Sequence, residues 1–480
     1  MPDCSLQELV LEIEMKRKHL GELLEEGLDF ASLEVAVREA LKPLEVSLLK
    51  PLLQKVLDSK ELLSQMKKLG GSLGMRFKGH RQIEVRLSNG EAIPVSSPYF
   101  SKAKAKVSQG KRMQRRERGS HLGLSGLGFI GRCSAVLVSE VVQTAVLCPS
   151  FEVARTVLKR RGLDLDVKTV RRLCGQLGER GLLLRGGVAL ASDEEFSGHT
   201  LVIGIDGGRL RERRRKRTKT VDQKRHGYHS DWREPKLFTL YVVDEKGRVV
   251  RECAPLHDAT LGDHEAMFEL LERYLNALDL NAFTHIVFCG DGASWIWSDT
   301  EALCDRLGLE AERVVQVIDY THAKQNLQEI IDQVPQHQRS ELTERWCELL
   351  WQGNLSSLGE QIEQKITAKA KQKKALKKWS DYFDSNQKRM QYQSFHERHL
   401  PCGSGCVESA IRRVINLRLK APGTFWSVAM AECFLFLRSQ LLSGRWDIVI
   451  ENITREAATL IRNLRVGLMP KVSPAFLQTA

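Results

Sequence analysis

The chain has 480 residues, 42% hydrophobic and 28% charged, the balance of a globular protein of several domains and not of a disordered tail. Its 73 basic side chains against 60 acidic ones leave a net charge of +13, which favours a polyanionic partner because each basic group beside a phosphate displaces a condensed counterion. No apolar run approaches the ~18 residues that span a bilayer, the start MPDCSLQELVLEIEMKRK lacks the plan of a signal peptide, and eleven cysteines without a C-x-x-C pair speak against a disulfide framework; a cytoplasmic, nucleoid-associated protein with no membrane partner is expected.

Region 1–100 reads as helices with a small β segment. Leu6, Leu9, Val10 and Ile13 repeat at helical spacing, Leu33 to Met66 continues in that style, and Gly70-Gly71 is expected to break it. From Arg76 to Pro98 the pattern alternates around the turn Ser88-Asn89-Gly90-Glu91, as in a hairpin. Region 101–185 opens with eight basic residues in 101–118, a solvated linker or a nucleic-acid arm; the net charge favours the arm. A helix-turn-helix follows. Ala154, Val157 and Leu158 face one way on its first helix, Gly162 breaks the chain, and a second helix from about Asp166 carries Val170, Leu173 and Leu177 inward. Lys168, Arg171 and Arg172 point outward, as DNA-binding residues on a recognition helix would; an ordinary helical hairpin reads the same. A linker spans 186–199.

The character changes at 199. Apolar strands are expected at Leu201–Ile205, Phe238–Val243, Arg248–Ala254, His285–Cys289 and Arg313–Ile318, with helices at Asp263–Leu280, at Asp299–Leu307 and from Thr321. That order, a meander and then β-α units, predicts an α/β fold with a mixed sheet, where ligands gather at the carboxyl ends of strands. Residues 323–400 read as almost pure helix, long and basic. A new helix begins at Gly403, an apolar one covers Phe425 to Leu442, and 446–480 is a short helix with a tail.

Three acids form the candidate catalytic site. Asp206 ends the first strand in GIDGG, and Asp291 ends the fourth in FCGDGA. The flanking glycines leave backbone room for a bulky ligand. If the two strands are neighbours, their carboxylates repel and call for a cation; hard oxygens suit Mg²⁺ or Mn²⁺, which can activate water against a phosphodiester. The third acid is Glu408, in GSGCVESAIRR, with Arg412 four residues on to orient it; by spacing alone it reads equally as an exposed glutamate in a capping turn. Asp319 and His322 follow the fifth strand in D-Y-T-H, where they can orient the site or touch a phosphate as auxiliary groups; the histidine also reads as a simple cap or core residue. Between 209 and 219 eight of eleven residues are basic; Arg209, Arg211, Arg213, Arg214, Arg215, Lys216 and Arg217 can grip phosphates beside Asp206, or lie in a solvated loop. His396, His399, Cys402 and Cys406 have zinc-type spacing, although the two cysteines flank the GSG turn and read as packing thiols.

The order and spacing of these motifs over about 199–445 resemble the DDE transposases of bacterial insertion sequences, in particular those akin to the mutator-like group. Asp206 and Asp291 resemble its first two acids, Asp319 to His322 its C/D-x-x-H motif, and Glu408 the Glu of its G-S-G-x-[VI]-E-S signature; WREPK (Trp232 to Lys236) and RLKAPGTFWS (Arg418 to Ser427) are also similar to family sequences. The resemblance implies an RNase H-like mixed sheet (199–322 and 401–445) interrupted by an all-helical insertion (323–400), preceded by the mainly helical N-terminal region with its helix-turn-helix. It implies a mobile-element enzyme for DNA transposition and recombination: Mg²⁺-dependent or Mn²⁺-dependent phosphodiester hydrolysis at element ends and transesterification into target DNA. Asp206, Asp291 and Glu408 would be both catalytic residues and metal ligands, double-stranded DNA the partner, and a homo-oligomer on DNA the working form. Two other readings share these features: an RNase H-like nuclease such as a junction resolvase, and a DNA-binding regulator that has lost catalysis.

Overall fold

The structure is a computed structural model that describes residues 6–102, 119–185, 196–216 and 227–463. The fold is mixed α/β, with a five-stranded mixed sheet and two separate two-stranded ribbons. Most of the basic stretch 101–118, the linker from 186 to 195 and the tail from 464 lie outside the described residues, as does Arg217. Among the described residues, no helix is long and apolar enough to cross a membrane. The chain divides into two compact units, one from the described residues of Met1–Ala145, Phe151–Leu177 and Ile450–Ala480, the other from Val146–Ser150 and Gly178–Val449.

The first unit begins with helices α1 (Leu6–Glu25), α2 (Phe30–Leu57) and α3 (Lys60–Ser72). Asp29 and Ser59 cap α2 and α3 with their side chains, as short polar residues do at helix starts. The helix ends beside the expected break at Gly70-Gly71, with both glycines inside its last turn and Ser72 as its last residue. Gly70 is buried where a Cβ would sit 2.9 Å from the Phe100 ring, so this glycine serves packing. Strands β1 (Met75–Arg86) and β2 (Ala92–Lys102) form the antiparallel hairpin, with Gly90 at φ +88° in the turn, a conformation open to glycine. The short α4 (Leu122–Gly126) follows, then α5 (Ala135–Leu147), α6 (Phe151–Arg160) and α7 (Val167–Leu183). Asp166 accepts from Thr169 N–H at 2.8 Å and so caps α7. Ala154, Leu158, Val170, Leu173 and Leu177 are fully buried, while Lys168, Arg171 and Arg172 are exposed.

The second unit holds the main sheet. Its strands are β3 (Thr200–Gly207), β6 (Lys236–Val243), β7 (Leu256–Thr260), β8 (His285–Gly290) and β9 (Val314–Ile318), in the order β7-β6-β3-β8-β9. β6 is antiparallel to β3 and β7, whereas β3, β8 and β9 run parallel. Parallel strands covered on both faces read as continuous apolar runs, and β3 is buried from Thr200 to Ile205. The third strand of the meander lies later than expected. Only Val249 bridges back to Val243, residues 251–253 form a turn, and pairing resumes at Leu256 after Pro255, which has no N–H to give to a ladder.

Between Gly207 and Lys236 the chain leaves the sheet as a ribbon, β4 (Leu210–Arg215) against β5 (Tyr228–Arg233). Helices α8 (His264–Leu275), α9 (Ser294–Leu307) and α10 (Tyr320–Ile331) follow β7, β8 and β9. The chain is then helical through α11 (Arg339–Trp351), α12 (Leu355–Lys365), α13 (Lys369–Lys378) and α14 (Tyr392–Glu397), with wide and tight turns around Trp379–Arg389. It returns to the sheet as α15 (Gly405–Ala410), which packs on β3 and β6, and α16 (Val428–Leu442), which packs on β7; α17 (Trp446–Asn463) closes the described chain. Beneath β7, Arg185 pairs with the fully buried Asp258 at 2.6 Å, and Tyr274 donates to the same carboxylate at 2.8 Å, so this buried charge is fully partnered.

Candidate active site

Strand register places the acids. Ile205 of β3 faces Gly290 of β8, and Gly290 faces Ile318 of β9. The next residue along each strand is Asp206, Asp291 and Asp319. Three carboxylates therefore stand in a row at the carboxyl ends of three adjacent parallel strands, which are spaced about 4.8 Å apart.

Each acid has a distinct environment. Asp206 is partly buried, and Gly207 N–H donates to its Oδ1 at 2.6 Å. Burial pushes its carboxyl up to about 6; the Gly207 bond opposes this, the Asp291 and Glu408 charges reinforce it, and His322 opposes it. Asp291 accepts from Ala293 N–H at 2.9 Å through Oδ1, and its carbonyl accepts from Trp297 Nε1 at 3.1 Å, which fastens the end of β8 to α9. Asp319 is buried. Its Oδ1 accepts from His322 N–H at 2.8 Å, capping α10, and its Oδ2 accepts from Ser404 N–H in the GSG turn. Asp319 thus ties together the end of β9, the start of α10 and the turn that leads into Glu408.

Glu408 reaches the site because Val407 beside it is buried against β3. A Cβ on Gly204 would lie 3.0 Å from the Val407 Cβ, so only glycine at that position lets α15 approach so closely. The Glu408 side chain is half exposed, and its Oε1 lies 3.9 Å from His322 Nε2. Arg412 is exposed and pairs with no carboxylate among the described residues. The helix widens to a π turn over Ile411–Asn416, and that change of pitch removes the i, i+4 alignment a regular helix would give.

The donor set fits a hard divalent cation. One ligand atom each from Asp319, His322 and Glu408 lie within 4.8 Å of one another, while the trio Asp206, Asp291 and Glu408 is more loosely spaced. The carboxylate oxygens suit Mg²⁺ or Mn²⁺, whereas the imidazole is a softer donor that leaves other transition metals open as well; the Asp206 carboxyl is raised first by burial and then by the Asp291 and Glu408 charges, and a cation would offset both.

The flanking glycines do not open room for a ligand. A Cβ on Gly207, Gly208 or Gly292 would meet Glu234, Ile415 or the Tyr382 ring within 2.6 Å. The protein's own side chains fill these spaces. Tyr382, absent from the sequence reading, lies over Gly292; burial pushes its phenol up, and Asp291 and Asp319 add to that shift. No local signal marks it, since it arrives from the helical segment some ninety positions beyond Asp291.

Part of the basic stretch after Asp206 forms a strand, and its residues from 217 on lie outside the described residues. Arg209 is exposed beside Gly208, and Arg211, Arg213, Arg214 and Arg215 lie on β4, with Lys216 just beyond. Arg214 is paired with Glu212 at 2.9 Å and Asp231 at 3.5 Å. Arg172 of α7 donates to Gln176 Oε1 at 2.8 Å. His396, His399, Cys402 and Cys406 do not gather as a ligand set among the described residues; Cys402 Sγ donates to Tyr392 O at 3.6 Å, and burial pushes its thiol up to about 11, away from the thiolate that zinc requires. Comparison with protein-family models, with curated proteins and with solved structures finds no match.

Proposed function

We propose that the chain is a DDE-type DNA transposase with an RNase H-like catalytic core, which cuts insertion-sequence ends and joins the freed 3′-hydroxyl to target DNA. One observation carries the reading: Asp206 and Asp291 end paired parallel strands, and Glu408, about two hundred residues further on, comes within 3.9 Å of His322, four residues past Ile318 at the end of the next strand. The strand order β7-β6-β3-β8-β9 and the helical run before α15 agree with it, as does the net charge of +13.

Asp206, Asp291 and Glu408 would hold Mg²⁺ or Mn²⁺, with Asp319 and His322 beside them. When bound, such ions lower the pKa of water or a hydroxyl and stabilise the leaving oxygen of a phosphodiester. Asp319 acts as a positioning residue, because its two oxygens engage the backbone on both sides of the site. His322, close to Glu408 Oε1, can hold or pass a proton at Nε2. Arg209, Arg211 and Arg213 lie within a few residues of Asp206 and would draw the DNA backbone across the acids, while Lys168, Arg171 and Arg172 of α7 would bind duplex elsewhere on the chain.

The test uses duplexes that carry the DNA bordering the coding sequence. Asp206→Asn, Asp291→Asn and Glu408→Gln each abolish Mg²⁺-dependent nicking and strand joining, and each leaves duplex affinity within about twofold. Full activity in all three variants removes the mechanism. Nicking without joined products identifies a nuclease instead.

A further inference from the structure

The β4–β5 ribbon has two chemically different faces. Directly opposed residues share a face, so Leu210/Arg233, Glu212/Asp231 and Arg214/His229 lie on one side, and Arg211/Trp232 and Arg213/Ser230 lie on the other. The first face neutralises itself. Glu212 is buried and takes Arg214 at 2.9 Å and Arg233 at 3.6 Å, and Asp231 takes Arg214 as well.

The second face has no acid. Arg211 stacks over Trp232 at 5.1 Å and over Phe425 at 5.5 Å, and Arg213 stacks over Tyr228 at 4.2 Å. Neither arginine has a carboxylate partner among the described residues. Phe425 belongs to this array because Arg213 N–H donates to Trp426 O at 2.7 Å and Trp426 N–H donates to Arg211 O at 2.9 Å. Those bonds add residue 426 to the ribbon edge and leave residue 425 beside Arg211. Tyr228 meets Phe425 edge to face at 5.7 Å. Trp232 is 55% exposed and Tyr228 43% exposed.

Large aromatic rings left in water on a strand have no folding role that requires exposure. Interleaved with unpaired guanidinium groups, they match what a nucleic acid with unstacked bases offers: flat π-faces that stack on rings and phosphates that pair with cations. A closed duplex offers only the phosphates. We infer that this face binds an unpaired stretch of DNA, with bases stacking on Trp232, Tyr228 and Phe425 and phosphates meeting Arg211 and Arg213. The ribbon leaves β3 four residues after Asp206 and rejoins the sheet at Lys236, opposite Gly207. The strand it holds is therefore next to the acids, where cleavage and joining need the duplex opened. The inference deepens the transposase reading and rests on its nucleic-acid half.

The experiment measures binding alone, in EDTA, by fluorescence anisotropy of the full chain with fluorescein-labelled dT20, a 20-mer of abasic sites and a closed hairpin duplex. The wild type binds dT20 at least about tenfold tighter than the abasic strand, since each stacked base contributes about fivefold or more and two or three are stacked. The Tyr228→Ala/Trp232→Ala variant loses this preference and keeps its duplex affinity within twofold; Trp232→Phe retains the preference, which separates stacking from misfolding. Arg211→Gln/Arg213→Gln lowers the slope of log affinity against log salt on dT20 by about 1.4, from ~0.7 per phosphate contact on single strands. Equal wild-type affinity for dT20 and the abasic strand overturns the inference, and so does an alanine pair that binds dT20 like the wild type. Because no metal is present, these outcomes do not depend on the nicking assays, and either half can fail by itself.

Discussion

His257 of β7 shows how one buried side chain sets a pH limit. Its Nε2 lies 3.3 Å from Arg413 Nη2, and its Nδ1 lies 3.0 Å from Thr239 Oγ1. A guanidinium only donates, so Nε2 accepts and the ring proton sits on Nδ1, donating to Thr239. Its backbone N–H donates to Ser443 Oγ at 2.9 Å, and Arg445 adds a second positive charge nearby. Burial, then Arg413 and Arg445, push the imidazole down to about 4. The unfolded chain takes up this proton near 6.5 and the fold resists it until about 4. The resulting stability is therefore present above pH 6.5 and lost as pH falls through that window. Between pH 7.5 and 4.5 this group alone removes about 2.5 kcal/mol of unfolding free energy. His257→Gln, whose amide can donate to Thr239 and accept from Arg413, lacks that component. Urea titrations of both proteins at the two pH values should differ in their pH response by that amount; an equal response means the ring is protonated in the fold.

At the scale of elements, the position of Glu408 depends on the contact between α15 and β3. Val407 is buried against Gly204, and the widened turn that follows is gripped by the buried Arg438, whose Nε donates to Val414 O at 2.7 Å and which also donates to Arg413 O. Gly204→Ala places a methyl 3.0 Å from the Val407 Cβ and should lift α15, with a loss of about 1–3 kcal/mol in stability and a matching loss of nicking. Adding Val407→Gly removes that Cβ and returns the space, so the double variant should recover nicking relative to Gly204→Ala even though a helical glycine costs about 1 kcal/mol in stability; additive losses of nicking would mean that the two residues are not in contact. The elements of this site differ in how they can be read. β3, β8 and β9 are legible because each is an apolar run that stops at an acid, which is what a central parallel strand must look like. The ribbon is not legible as strands, because its solvated face is arginine and its inward face includes Glu212, so charge masks the two-residue period. Nor is the packing of Ile415 on Gly208 or of Tyr382 on Gly292, since each partner comes from a distant part of the chain and leaves no trace in local spacing.

Across the whole molecule, the candidate ligands come from separated pieces of chain: β3, the loop after β8, the start of α10 and α15. Without a cation, the burial of Asp206 and, after it, its repulsion by Asp291 and Glu408 work against the second unit. The raised Asp206 carboxyl has the sign of an anion that costs stability at neutral pH. A divalent ion that binds only the assembled set reverses this, and stabilises by about 1.4 kcal/mol when its concentration is ten times its dissociation constant. The sequence supplies a selective reporter, because all eight tryptophans fall within Gly178–Val449 and intrinsic fluorescence follows the second unit. In EDTA at pH 8, Asp206→Asn should unfold at the same or a higher urea concentration than the wild type, since it removes a partly buried negative charge that neighbouring acids also repel. With millimolar Mn²⁺ the wild-type midpoint should rise, whereas those of Asp206→Asn and Glu408→Gln should not, and KCl at equal ionic strength should not reproduce the rise. A rise shared by all three proteins would place the binding ion elsewhere. No rise in any of them would leave three aligned acids and a nearby glutamate without the cation that their arrangement calls for.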